Sequence, residues 1–435
     1  MTQLHSRKAF LAPKLRQIVL FLRWQGITMA GNLFYGFLCV RLLPIPEYAK
    51  FAVVFGFLGP LAVLMNIGFS NTLLPLIGER IDDRQLIADY VASLRQLAHW
   101  LYFVIAPAAV IVYPLLVHRQ HWGWRTIAVM LAMLLVAAWC SRVAGAYGAV
   151  LIVRRDRASW YRAQMVSSFG TLALLGVVWA THLLNAFSAI FLNVAGIVYV
   201  ATAYYLRAQR LLRVNGNPSP EMRKAIVHLS LPSMPNAIFY ALQGQVSLLL
   251  ITVFGHLTAV ASVGALSRLG QIFVLLAQMN PLLVEPYFAK LPQARLKRNY
   301  LGLLAVEGAF CFLASGLAAS FPQVYLWILG PKYSHLRTEV FLLVAACSMS
   351  HLSGVLWIVN GSRRFVYWWN GMAVIVFTLA IEALFIWKFD LSTVYGVLLL
   401  NLVTVAGALA VNLLTGVFGF IQGPRGAVLH QVTVP

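Results

Sequence analysis

The sequence predicts an all-α polytopic membrane protein, with about twelve transmembrane helices in two six-helix bundles and both termini in the cytoplasm. Three observations lead there. The 435 residues are 61% hydrophobic and only 10% charged, far from the make-up of soluble domains. Apolar runs of about 20 residues, the length a helix needs to cross hydrocarbon, recur along the whole chain. The basic residues behind the net charge of +21 sit in short clusters between those runs, as membrane topology requires and a polyanion-binding surface does not.

In order, the expected spans cover 18-41, 48-75, 97-117, 126-152, 163-182, 186-206, 230-254, 259-285, 300-321, 338-360, 365-387 and 392-416. The opening "MTQLHSRKAFLAPKLRQ" is positively charged, but the apolar run behind it has no small-residue cleavage site, so it reads as a retained first helix. Lys and Arg avoid translocated loops. On that rule the cytoplasmic side takes the basic residues from Arg7 to Arg16, Arg80 to Arg95, Arg154 to Arg162, Arg207 to Lys224, Lys290 to Arg298, Arg363 with Arg364, and Arg425, most of the 33. The opposite connections hold only Arg119, Arg125, Lys332, Arg337 and Lys388, with Arg41 and Lys50 flanking the first turn.

The expected organisation is therefore a cytoplasmic tail at 1-17, a first bundle at 18-206, a cytoplasmic linker at 207-229, a second bundle at 230-416 and a cytoplasmic tail at 417-435. The linker's Asn, Gly and Pro cluster marks it as irregular. Six helices on each side suggest an internal repeat. Gln25, Thr28, Asn32, Tyr35 and Cys39 share one face of the first span, and Asn236, Tyr240, Gln243 and Ser247 share one face of the seventh, by 3-4 spacing. Gln25 and Asn236 occupy matching positions, as do Asn32 and Gln243. An even number of helices per half predicts repeats that run the same way through the membrane.

A charge at mid-bilayer costs at least about 2.5 to 3.5 kcal/mol, so each one needs a partner, a route to the interface or a wet cavity. In "GALSRLGQIFVLLAQMNPLLVE", Arg268, Gln271, Gln278 and Glu285 fall on one helical stripe running from Gly264. Arg268 lies roughly 14 Å from the helix start, too deep to reach water easily. It is either paired in an interhelical network or lines a cavity that binds an anion. Arg142 is the other basic residue well inside a span, beside Gly145 and Ala149, whose small side chains permit close packing. Glu307 and Glu382 are candidate sites of ion coupling, since a buried carboxylate can exchange a proton; structural pairing or snorkelling are the alternatives.

Soluble-enzyme chemistry finds no support. There is no GxxxxGK[ST] and no HExxH, and the ten histidines are scattered, mostly near span ends, where interfacial placement explains them. Cys39, Cys140, Cys311 and Cys347 show no CxxC spacing and read as small core residues. Trp100, Trp122, Trp124, Trp327 and Trp387 mark the interfaces. No enzyme activity, cofactor, metal or nucleic-acid partner is expected.

Three stretches carry a family resemblance. "VRLLPIPEYAKFAVVFGFLGPLAVLMNIGFSNTLL" places Arg41, Leu42, Leu43, Glu47 and Tyr48 as they stand between the first two helices of bacterial polysaccharide flippases. "GALSRLGQIFVLLAQMNPLLVEPYFAKL", with Arg268 and Pro286, is similar to that family's eighth helix. "WILGPKYSHLRTEVFLLVAA" carries its Gly-x-x-Tyr at Gly330 and Tyr333. Together with the twelve-span plan, the chain resembles the polysaccharide/O-antigen flippase family of the multidrug/oligosaccharidyl-lipid/polysaccharide exporter superfamily.

The resemblance implies two bundles in a V, alternating access, and a place in the bacterial inner membrane. It implies an undecaprenyl-diphosphate-linked oligosaccharide as substrate, for O-antigen, capsule or exopolysaccharide synthesis. Arg268 and Arg142 would hold the diphosphate, while Gln271, Gln278, Asn236, Gln243, Asn32 and Gln25 would meet the sugars. Anionic membrane lipids, a polysaccharide polymerase and glycosyltransferases of the same pathway are the further expected partners. The chain's end soon after span twelve fits the fourteen-helix peptidoglycan-precursor branch less well. The alternatives are a cation-coupled multidrug antiporter of the same superfamily and a membrane glycosyl-transfer enzyme. The first two spans hold no internal carboxylate for a cationic drug, and the outward loops are short for a catalytic site.

Overall fold

A computed structural model of the chain describes residues 22–78, 80–232, 234–365 and 367–422. The expected tail at 1-17 and all but the start of that at 417-435 lie outside the described residues. Contacts group the chain into two compact units that divide after Ala261. The first holds α1 (Ile27–Leu42), α2 (Ile45–Leu64), α3 (Phe69–Ile77), α4 (Arg84–Val117), α5 (Trp124–Val153), α6 (Arg157–Ala180), α7 (Ala186–Leu212), α8 (Pro220–Ser230), α9 (Met234–Gln243) and α10 (Val246–Phe254). α11 (Leu257–Ala277) begins there and continues into the second unit. That unit adds α12 (Asn280–Ala289), α13 (Gln293–Ser320), α14 (Pro322–Leu329), α15 (Arg337–Ser362), α16 (Trp368–Lys388) and α17 (Val394–Gln422).

The protein is thus an all-helical, multi-pass membrane protein. Among the described residues ten helices are long and apolar enough to cross a membrane, or up to 11 if the bent pair α8 and α9 is one span. The first expected span begins outside the described residues. Its outward surface suits hydrocarbon: Phe312, Trp327 and Trp387 are 78%, 74% and 79% exposed, a cost in water that lipid removes.

Three expected spans are broken, each where the backbone chemistry demands it. The second splits into α2 and α3 at Ile67 and Gly68, whose φ of 40° and 81° leave the helical region. The seventh, expected as one helix at 230-254, becomes α9 and α10, interrupted at Gly244 and Gln245. The eighth stops at Ala277 and restarts at Asn280; Pro281 has no N–H to offer Ala277 and its ring would clash there, but suits the first turn of α12.

In the first unit α5 packs most extensively against α7. Leu73, Ile87, Val91, Val150, Tyr204 and Leu212 are central to its apolar core. Glycines set the close approaches. A side chain at Gly148 would press on the Tyr204 ring at 3.3 Å, and Ser70 Oγ donates to the Gly145 carbonyl at 2.9 Å. α9 and α10 pack on α2, so the segment from 234 to 254 belongs by contact to the first unit. The turn at Arg41 to Tyr48 is a joint in this unit: Leu43 and Tyr48 are buried, and Glu47 pairs with Lys50 at 2.6 Å and accepts from Ala186 N–H at 3.0 Å, tying α2 to the start of α7.

In the second unit α15 packs along α17 and beside α13. Gly330, with φ 98°, turns the chain out of α14 in a conformation that disfavours other residues, and Tyr333 is buried just after it.

Polar residues at helix starts stop fraying at the membrane surface. Asp83, Asp156 and Asn185 accept backbone N–H bonds at the starts of α4, α6 and α7. Asp156 also takes Arg207 Nε at 2.6 Å. Burial pushes this carboxyl up, but the bonds from Arg207 and Ser159 outweigh burial and hold it below the usual carboxylate range. Its stabilisation is therefore present above the unfolded pKa of about 3.9 and is lost as pH falls through the lower folded value. Asp156→Ala should cost about 1 kcal/mol, read as a lower melting temperature in detergent near neutral pH. The gap to the parent should close in acid, and a gap independent of pH would contradict the assignment.

Candidate functional site

In the first unit three arginines stand on α4, α5 and α8, and each is answered by a neutral group. Arg142, 6% exposed in the middle of α5, puts Nη1 2.7 Å from His99 Nδ1 on α4 and lies 3.8 Å over the Trp139 ring. Since arginine can only donate, Nδ1 accepts, so His99 is neutral with its hydrogen on Nε2. Arg95 Nη1 donates to Tyr147 Oη at 3.1 Å, and Arg223 Nη1 on α8 donates to Gln96 Oε1 at 2.6 Å and lies 5.3 Å from the Trp100 ring. Among the described residues none of the three pairs with a carboxylate. Arg142 Nε is buried with no hydrogen-bond partner among them. Tyr102 stands edge-on to Trp139 at 5.1 Å. The arrangement is a cationic cluster lined by aromatic rings, with hydrogen-bonding capacity to spare at Arg142 Nε.

In the second unit Arg268 on α11 is 3% exposed. The stripe expected from Gly264 to Glu285 holds only as far as Leu275. Gln278 falls in the break before α12, and Glu285 is an exposed residue of that next helix. Pro281 interrupts the helix and with it the spacing that would align Gln278 and Glu285 with Arg268. Gly270, two residues beyond Arg268, packs on Cys347 of α15; a Cβ there would lie 3.1 Å from Cys347 Sγ.

Glu307 on α13 meets His351 on α15, Oε2 to Nε2, at 3.3 Å. His351 lies inside its span and is 7% exposed, so interfacial placement does not hold for it. Glu382 on α16 is 9% exposed. A separate polar seam ties α15 to α17: Asn360 Nδ2 donates to the Asn412 carbonyl at 2.9 Å, and Asn412 Nδ2 to Ser353 Oγ at 2.8 Å.

The sequence-derived candidates therefore fall into two groups. Gln25, Asn32, Arg142, Asn236 and Gln243 are in the first unit; Arg268, Gln271, Gln278, Glu307 and Glu382 are in the second. Gln25 and Gln243 are partly buried, and Asn32 is exposed. The sequence alone does not mark His99, Trp139, Arg95, Arg223 or His351 as site residues. A histidine carries no motif of its own, and the contact that gives His99 meaning joins positions 43 apart.

No family model matches the sequence, and no curated protein is similar to it at the sequence level. Solved structures share its fold. A multidrug resistance MATE family transporter of the MOP superfamily, inward-facing, matches over 91% of this chain and 94% of its own, with 14% identity and a TM-score of 0.65. Lipid II flippase MurJ, in an inward closed conformation, matches over 92% and 87%, with 11% identity and a TM-score of 0.60. A MOP superfamily transporter from Pyrococcus furiosus, for which a reversed polarity of the binding pocket was reported to suggest a different function, matches over 94% and 95%, with 16% identity and a TM-score of 0.55. The chain has the fold of this superfamily.

The lack of a carboxylate partner for Arg142 among the described residues separates a structural from a functional role. A buried cation without a counter-charge costs folding free energy, so Arg142→Met should leave the melting temperature in detergent unchanged or higher. His99→Ala, which strips an acceptor from a buried guanidinium, should lower stability by about 1 to 3 kcal/mol. A large loss of stability in Arg142→Met would make Arg142 a structural group.

Proposed function

We propose that this protein is a flippase that moves an undecaprenyl-diphosphate-linked oligosaccharide across the bacterial inner membrane by alternating access, and is not an enzyme. The observation that carries the reading is a buried arginine inside an apolar span of each unit, Arg142 at 6% and Arg268 at 3% exposure, the first bonded to His99, stacked on Trp139 and paired with no carboxylate among the described residues. Arg142, with no counter-charge among the described residues, offers an anion a binding site in low dielectric. A diphosphate offers it several charged acceptors at once, while the lipid tail stays in the bilayer. Trp139 and Tyr102 give a sugar flat apolar faces, and Gln271, Gln278, Asn236, Gln243, Asn32 and Gln25 give it amides.

Two comparisons support the direction. The fold is shared with a lipid II flippase, and also with drug transporters. A cationic drug would meet arginines here. Proteins that build and polymerise the glycan would act before and after this step, and anionic lipids would meet the basic clusters between spans.

The test is export of the cognate glycan in cells that lack the parent chain. Arg142→Ala and Arg268→Ala should each lower export about tenfold or more, the loss of a charge-assisted hydrogen bond of about 1.5 to 3 kcal/mol, at unchanged membrane levels. Arg142→Lys should recover little, because an ammonium does not reproduce the planar fork stacked on Trp139. Full export by Arg268→Ala would remove it from the path.

A further inference from the structure

Glu307 and His351 stand near the middle of α13 and α15, each roughly 17 to 21 Å from its helix ends. Their side chains are 18% and 6% exposed, and neither reaches an interface. Two buried atoms beside the contact are unspent: His351 Nδ1 and Ser348 Oγ have no hydrogen-bond partner among the described residues. Ser348 is fully buried one turn before His351, and its carbonyl receives Cys311 Sγ at 3.1 Å. Phe310 stands edge-on to the imidazole at 5.9 Å. A pair kept only as interhelical glue has no use for two idle polar atoms, each of which costs about 1 to 3 kcal/mol when buried unpaired.

We propose that Glu307 and His351 form a proton-binding site that couples transport to a proton gradient. This rests on the transporter reading and names the ion that drives it. With one shared proton the pair is carboxylate and imidazolium, held together by charge and by Nε2–H donating to Oε2. A second proton, taken from water on one side, bonds to the carboxylate oxygen and leaves a neutral acid beside a cation, so the attraction that ties α13 to α15 is lost. Returning that proton to the other side restores the pair. The imidazole selects a proton over sodium, since an imidazolium in the site repels a metal cation and a proton needs no coordination shell.

Other titratable groups are carried by the helices packed around the pair. On α13 and α15 themselves the nearest titratable side chains are Cys311 and Cys347, each one turn away. α11, which reaches α15 and α13 through Gly270 and Phe273, carries Arg268. α12 carries Glu285 and Tyr287, α14 Tyr325 and α17 Tyr395. The pair is the one place on these helices where a carboxylate and an imidazole meet among the described residues.

The experiment uses the full chain in proteoliposomes, with undecaprenyl diphosphate bearing one N-acetylhexosamine as probe lipid. A pH step of one unit should shift the steady-state leaflet ratio of the probe by up to about tenfold for one coupled proton, and a sodium gradient should shift nothing. Glu307→Gln and His351→Gln should still equilibrate the probe but ignore the pH step. The exchanged double variant, Glu307→His with His351→Glu, should regain the response. A pH response that survives in either single variant, or a response to sodium, overturns the proposal. If the parent does not move the probe lipid at all, the flippase reading fails and the proton site is judged without it. Amide exchange at 303–311 and 347–355, compared at about pH 6 and about pH 8 after correction for intrinsic rates, should change with pH in the parent only. Protection that is equal at both pH values in the parent refutes the site.

Discussion

A charge inside hydrocarbon must be answered within reach of its own side chain, and that constraint orders both units of this protein. Most of its basic residues meet the requirement by standing at helix ends, where Asp156 and Arg207, or Glu47 and Lys50, can pair near water. Arg142, Arg268 and the Glu307–His351 pair do not. They sit where the surrounding spans are built from Leu, Val, Ala and Phe, and neighbouring helices must supply whatever answers them. Arg142 is the sharpest case, because imidazole and indole soften its charge without cancelling it. A residue kept at such cost is explained by what it binds better than by what it stabilises.

The helix breaks follow from the same solvent. A backbone group exposed to lipid without a partner costs several kcal/mol, so irregular chain is tolerated only where protein shelters it. The break between α2 and α3 adjoins Ser70, whose hydroxyl and backbone N–H both turn to Asn66 Oδ1, at 2.8 and 3.0 Å. The break between α11 and α12 falls nine residues beyond Arg268, in the segment whose apolar run looked unbroken. Of the broken spans, α11–α12 is the one that also carries a buried charge, Arg268, whereas Arg142, Glu307 and His351 stand in the continuous helices α5, α13 and α15.

Much of the fold was legible in the sequence because length and apolarity are nearly sufficient to find a membrane helix. Helix starts were harder to read: α4 begins at Arg84 behind its cap Asp83, well before the span expected from 97, and α8, capped by Ser219, lies where a linker was expected at 207-229. The breaks were less legible: Gly68, Gly244 and Pro281 stand inside windows whose average hydropathy hides them. Arg142 and Arg268 could be found because a guanidinium in an apolar run is conspicuous. Their surroundings could not, since His99, Trp139 and His351 acquire meaning only from helices far away in sequence. Asn236 and Gln243 show the reverse difficulty, for a periodic pattern placed them on a helix face but could not say which unit that helix packs in.

The central claim is that the buried arginines recognise a lipid phosphate, and binding tests it most directly. The purified full chain should bind undecaprenyl diphosphate at least about a hundredfold more tightly than undecaprenol of the same chain length, as two or more charge-assisted hydrogen bonds require. That preference should vanish in the Arg142→Ala, Arg268→Ala double variant. Equal affinity for the two lipids, or a preference that outlives both arginines, would contradict the account.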